Sequence, residues 1–504
     1  MGLNRIFGAS VLSLAILAGC GGGGDGTAPA AGGGGAGGGG GTTTSGQLTN
    51  SPIDGVPYTA APSGLTGTTM NGGMFNFQAG DTVTFNIAGL EIAVPGGARI
   101  TPQTIAEELA DGDATTQANI LANLTTFFQT IDSDGLPENG SVTIPDNIEF
   151  ANAADLLTSL EMAPADFTMA FQTAIDGAYP EGSEPTVVDS TEAMLRFYRN
   201  ELQGNWRLVS ATGAGETITS DANYQVLLSF DVGNTNAAND GVVNSFVFSE
   251  FDISDPADEF SFVGVGTTNY NSETAEFQFT SLPRALVPDF TSPPGTNNSS
   301  SESDPFLYSS KVALDGTQLV LTLVEQGTTI VATFERFNNV KGSLIGSWYE
   351  VLPQDTFDGA PTVIAAPAEN GSVDFGDDVA AVFYYFLSNS RVMLSFTDLP
   401  ASASENGEEA NGIVVADYTL VNGRLTFTNV VLDSVSSDTA PDPAVANGDF
   451  VTVGTATLND TKRILTEGDT TNEQETYEIY RILSLSERVG AFEQAAPAEA
   501  VEAR

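Results

Sequence analysis

"LQGNWRLVS" (Leu202–Ser210) holds one of the two tryptophans in a chain of 504 residues, and "LIGSWYEVL" (Leu344–Leu352) holds the other. Both read Leu-x-Gly-x-Trp and both continue into strand-like sequence. Downstream of Gly204 the patterning is uniformly β, with candidate strands at 205–211, 224–231, 241–252, 259–267, 274–280, 306–314, 318–324 and 328–337. Downstream of Gly346 a second series follows, near 346–352, 379–387, 390–397, 412–420, 424–431, 450–458, 461–466 and 474–483. Asp315-Gly316, Gln326-Gly327 and Asn422-Gly423 supply tight reversals. Short, evenly spaced strands separated by turn signals predict a sandwich or a barrel.

The two series align on more than tryptophan. Arg336 in "TFERF" and Arg481 in "TYEIYRI" each sit in the last aromatic-rich strand of their unit, in a chain with three lysines among its 16 Lys and Arg residues. A Gly-x-Trp on the first strand and an Arg on the last resemble the lipocalin-like pattern, which implies an eight-stranded barrel with Arg packed over the indole at its floor. The resemblance makes Gly204, Trp206, Arg336, Gly346, Trp348 and Arg481 structural floor residues. Such a contact contributes about 0.5–2 kcal/mol. Lipocalin-type barrels often hold an apolar ligand, and Phe383, Tyr385 and Phe427 are the candidate wall of such a pocket. A filled core reads the same way, and it is the reading favoured here.

Upstream of Gly204 the pattern is mixed. Phe75 and Phe77, then Val83, Phe85 and Ile87, alternate about Gly80-Asp81, which predicts a hairpin. Thr101-Pro102 opens helical sequence, and Ile120, Leu121, Leu124, Phe127, Phe128 and Ile131 recur at three- and four-residue steps. Further helices are expected at 152–160, 165–176 and 190–203, the last capped by Asp189. "GMFNF" from Gly73, "GDTVTF" from Gly80, Gly89-Leu90, Thr101-Pro102, "NILANL" from Asn119 and "DSDGLPENG" from Asp132 together resemble an N-terminal module of adhesin-like secreted proteins and lipoproteins of Gram-negative bacteria. The resemblance spans roughly residues 53–145 and implies an envelope context more than a mechanism. In "DSDGLPENG", Asp132 and Asp134 precede Gly135 as in the first half of an EF-hand-like loop, making them candidate calcium ligands. Glu138 comes too early for the bidentate position of that loop, and an ordinary Asp/Gly/Asn turn reads alike.

The first nineteen residues, with Arg5 before an apolar run to Leu17, read as a signal peptide too short to span a bilayer. "LAGC" closes it and resembles the bacterial lipobox, which implies that Cys20, the chain's single cysteine, is diacylated, becomes the mature N-terminus and carries three acyl chains in all, palmitate among them. Gly21, in place of Asp, implies the outer membrane. A Gly-rich stretch through Gly46 forms a flexible tether with a reach of roughly 28 Å.

Composition narrows the chemistry. With no histidine, the chain cannot build a Ser-His-Asp or Cys-His constellation, nor a His-ligated zinc or haem. The glycine run lacks the Gly-Lys-Ser/Thr of a phosphate-binding loop. A formal charge of −49 opposes binding to nucleic acid or anionic lipid and suits a saline setting. With 65 acidic residues, a carboxylate pair of the hydrolase type is inevitable somewhere and therefore uninformative.

The expected architecture is an α+β N-terminal module followed by two mainly antiparallel β domains, eight-stranded lipocalin-like barrels. Its segments are a signal peptide (1–19), lipidated Cys20 and tether (20–46), the mixed module (47–200), the first barrel (201–340), the second barrel (341–485) and a C-terminal tail (486–504). The expected role is non-catalytic binding or adhesion at the cell envelope, requiring no cofactor, with calcium the one candidate ion. The membrane is a partner through the lipid, and a protein or cell-surface partner is a candidate at the long polar loops "TSPPGTNNSSSESDP" and "SASENGEEANG", which read equally, and by preference, as solvated spacers. A carrier of a small apolar ligand is the alternative, and a carboxylate-dependent hydrolase the third reading.

Overall fold

The structure is a computed structural model. It describes Thr42–Ser484 and Glu487, apart from 136–140, 147, 231–241, 255–259, 272–275, 282–285, 289–298, 302–306, 316, 326–327, 352–380, 389, 398–411, 422–423, 434–451, 455–461 and 469–473. Cys20, Glu138 and the loop from Ser402 therefore lie outside the described residues.

The N-terminal module begins sooner than the glycine-rich composition suggests. Thr43–Leu48 is already a strand, antiparallel to Met74–Gln78 and parallel to Arg99–Ile100. Gly46 belongs there because the ring of Phe75 and the carbonyl of Gly97 occupy the space where a Cβ would sit. A second, four-stranded sheet has the order Leu65–Thr68, Pro57–Ala61, Thr82–Ile87 and Leu90–Pro95. Tyr58, Phe75 and Phe85 join the two sheets, with the Phe75 and Phe85 rings edge-to-face at 5.2 Å.

The hairpin expected about Gly80-Asp81 does not form. Both strands exist, but Met74–Gln78 pairs in the first sheet and Thr82–Ile87 in the second. The Asp81 carboxylate accepts hydrogen bonds from the Gln78 N–H (2.7 Å), the Ser63 N–H (2.9 Å) and the Ser63 hydroxyl (2.6 Å). The turn is thus tied to the neighbouring corner, and the chain crosses between sheets there. The true reversal is Ala88-Gly89, both left-handed (φ 52° and 96°), which joins the directly paired Ile87 and Leu90.

Among the described residues five helices follow: α1 (Pro102–Leu109), α2 (Ala114–Thr130), α3 (Ala153–Ser159), α4 (Pro164–Ala178) and α5 (Ser190–Leu202). Thr101 caps α1 reciprocally with Thr104, and the Asp189 carboxylate accepts from the N–H groups of Thr191 and Glu192 at the start of α5. The three-and-four spacing in α2 buries Leu124, Phe127 and Phe128, and Phe127 meets Phe171 of α4 at 5.2 Å.

The β regions match the expected strands closely. In the first, Val242–Asp252, Tyr224–Phe230, Gly204–Gly213, Thr328–Arg336, Gln318–Glu325, Leu307–Asp315, Glu276–Ser281 and Phe260–Asn271 are hydrogen-bonded in that order, and the last pairs back to Val242–Asp252. Short strands at 216–219, 286–288 and 299–301 are appended. In the second, Gly346–Val351, Ala381–Phe386, Arg391–Thr397, Gly412–Val421, Arg424–Asp433, Thr452–Gly454, Lys462–Gly468 and Gln474–Arg481 form a closed barrel in sequence order. Asn422-Gly423 lies outside the described residues, but its flanks Val421 and Arg424 are directly paired.

The module packs against the end of the first ring where Gly204 enters. The Gln103 side-chain carbonyl accepts from the Leu314 N–H at 3.0 Å, and Tyr198 of α5 meets the ring of Phe277 at 4.7 Å. Glu201, almost fully buried at the end of α5, accepts from the Thr49 hydroxyl (2.7 Å) and from Arg99, with which it forms an ion pair. A buried carboxylate needs such partners, because an unpaired charge is costly to desolvate.

Candidate functional site

The Leu-x-Gly-x-Trp spacing has a geometric cause. The Trp206 indole N–H donates to the carbonyl of Leu202 at 2.7 Å, and the Trp348 indole N–H donates to the carbonyl of Leu344 at the same distance. To fold the ring back onto a carbonyl four residues earlier, the intervening glycine takes a left-handed φ, 105° at Gly204 and 130° at Gly346. Neither site has room for a side chain. A Cβ on Gly204 would lie 2.8 Å from the Ser484 Cβ, and one on Gly346 would lie 2.1 Å from Asn339 Oδ1.

The arginines complete each floor. Arg336 is the cross-strand partner of Trp206 and Arg481 that of Trp348. Their guanidinium carbons stand 4.2 Å and 4.1 Å from the indole centroids. Arg336 donates to the carbonyls of Gln203 (2.8 Å) and Glu201, while Arg481 donates to those of Ile345 (3.0 Å), Val340 (2.9 Å) and Ser343. Burial, and then the neighbouring Arg99, pull the Arg336 guanidinium down to about 9, so it remains charged at neutral pH. All six predicted floor residues therefore meet in two matching groups. Both tryptophans are fully buried, so neither offers a contact surface.

The floors also touch. The Asn205 amide donates to the Ile482 carbonyl at 2.8 Å, and the Asn339 amide donates to the same carbonyl at 2.9 Å. The Glu487 carboxylate accepts from the Asn339 backbone N–H (3.0 Å) and the Ser484 N–H (2.8 Å). Helix α5, the 337–345 connection and the final turn thus converge beside Gly204.

Strand faces decide where ligands fit. Phe383 and Tyr385 point out of the second barrel and pack with Met393, Leu227, Val247 and Phe251 between the two barrels. The Tyr385 and Ser229 hydroxyls approach to 3.3 Å, and the Ser395 hydroxyl donates to that of Ser249 at 2.8 Å. Two of the three residues assigned to a pocket wall are therefore interface residues. Only Phe427 faces inward, into a cluster with Trp348, Tyr384, Phe386, Leu394 and Tyr418. There Phe386 meets Tyr418 edge-to-face at 5.1 Å. Stretches such as "YQVLLSF" are buried at every position because one face fills a barrel and the other meets its neighbour, where Ser229 is held by hydrogen bonds.

Each interior also holds a carboxylate that the periodicity argument passed over. The Tyr224 hydroxyl donates to Glu250 at 2.9 Å in the first barrel, and the Tyr384 hydroxyl to Glu350 at 2.7 Å in the second. Burial, reinforced by Glu250, raises the Tyr224 phenol far above its ordinary range. The signal was an acidic residue at an inward step, Phe246-x-Phe248-x-Glu250 and Trp348-x-Glu350.

Asp132 is buried just beyond the end of α2, and exposed Asp134 lies two residues on. Among the described residues no group of three or more His, Cys, Asp or Glu side chains converges, and no helix is long and apolar enough to cross a membrane. No protein-family model matches the chain, and no curated protein or solved structure shows significant similarity to it.

Proposed function

We propose that this chain is a lipid-anchored envelope protein of the bacterial outer membrane whose two lipocalin-like barrels form a rigid, non-catalytic binding platform. The observation that carries the reading is the cluster of the chain's own aromatic side chains inside the second barrel. Trp348, Tyr384, Phe386, Tyr418 and Phe427 take the space an apolar ligand would need in the second barrel. Recognition then falls to the surface, above all to the loops at the barrel end away from the Trp–Arg floor. In the second barrel the long connections 352–380 and 398–411 join strand ends remote from Gly346 and Arg481, whereas 387–390 and 422–423 on the floor side are short. A fixed frame carrying long variable loops is a common way to build a binding surface. The "LAGC" motif at Leu17–Cys20 and the glycine tether support the anchor.

Two measurements separate this reading from the carrier. An environment-sensitive apolar dye should show no saturable binding to the purified protein, whereas stoichiometric, displaceable binding would favour a carrier. Cells lacking the protein should attach or aggregate less, with recovery on return of the wild-type chain but not of a chain lacking 403–410. Unchanged attachment in the deletion would overturn the adhesion role.

A further inference from the structure

We propose that Asp132 and Asp134 hold a divalent cation of the calcium class at the C-terminal end of α2, pinning that end to the short strand Val142–Thr143. Asp132 Oδ1 already has its partner, the Thr143 N–H at 2.9 Å. Oδ2 has no hydrogen-bond partner among the described residues, although the residue is only 7% exposed. A buried carboxylate oxygen without a donor calls for a compensating positive charge or a proton. The surroundings supply the opposite sign. Asp134 faces it, and the last turn of α2, closed by the bond from the Ile131 N–H to the Phe127 carbonyl, ends in the negative pole of the helix dipole. Oxygen-rich, negatively charged positions of this kind match a hard cation taking carboxylate and carbonyl ligands. The backbone is already bent for the purpose: the Ser133 N–H donates to the Thr143 carbonyl (2.9 Å), and Gly135 turns with a φ of 66°.

The pinned strand has a structural role. Val142 and Thr143 pair in parallel with Ile53 and Asp54, so a cation at Asp132 would brace the crossing between the helical part of the module and its first turn. This inference is independent of the surface-binding role, because it concerns the module's own stability.

The test is calcium titration of the full chain and of Asp132→Asn, read as melting temperature and as bound calcium per chain. A chain of charge −49 gains some stability from any cation by screening, so the readout is the difference between the two proteins. Wild type should bind one more calcium and gain a larger rise in melting temperature than Asp132→Asn. Without calcium the variant should melt no lower than wild type, since Asn keeps the bond to Thr143 and removes the buried charge. Should that variant not fold, exposed Asp134→Asn serves in its place. Equal calcium increments and equal stoichiometry in wild type and variant would overturn the proposal, as would a wild type that shows no response to calcium.

Discussion

Arg336 and Arg481 each cover an indole and satisfy carbonyls of the segment that enters the barrel. Lysine keeps the charge but lacks the planar fork, so Arg336→Lys and Arg481→Lys should each lose about 2 kcal/mol or more in denaturant unfolding. An unchanged midpoint would show that the stack contributes nothing. Gly204→Ala places a Cβ against Ser484 at a left-handed φ, and a cost of roughly 1–3 kcal/mol is expected. Asp132 gives a pH signature. Burial, followed by the influence of Asp134, raises its carboxyl from 3.8 to about 6, so the folded chain holds this proton more tightly than the unfolded chain. Its favourable contribution is complete below about pH 4 and is lost as pH rises through about 6. In calcium-free buffer, Asp132→Asn should lack that part of the pH dependence. At this scale the Trp–Arg pairs were legible through the resemblance of Gly-x-Trp and a last-strand Arg to the lipocalin-like pattern. The Leu202 and Leu344 carbonyls were not, because a backbone acceptor leaves no trace in side-chain pattern.

At the scale of elements, strand positions could be read from the alternation of apolar residues, but partners and faces could not always be. Phe75–Phe77 and Val83–Ile87 satisfy every local sign of a hairpin, yet the bonds of Asp81 to Ser63 send them into different sheets. That contact lies outside any local window. In "AVFYYF" (Ala381–Phe386) both faces are apolar, so periodicity could not tell the inward Tyr384 and Phe386 from the outward Phe383 and Tyr385. The distinction predicts different phenotypes. Phe386→Ala opens a void inside one barrel and should destabilise that barrel by about 3–5 kcal/mol. Phe383→Ala weakens the contact between barrels, and calorimetry should show the single transition broadening or splitting.

Across the whole molecule, α5, two barrel floors and the final turn meet beside Gly204, so the C-terminal segment fastens the first barrel to the second through Ile482, Ser484 and Glu487. A chain ending at Leu483 loses the Glu487 bonds and should melt earlier, with the barrels less tightly coupled. The proposed role joins these packed β domains to a membrane through a lipid at Cys20 and a glycine tether. That attachment is most directly tested by fractionating cells that express wild type or Cys20→Ser. Wild type should sediment with the outer membrane with an acylated Cys20 as its mature N-terminus, while Cys20→Ser should appear in the soluble fraction. A Cys20→Ser protein that stays with the membrane, or a wild-type N-terminus without lipid, would contradict the account.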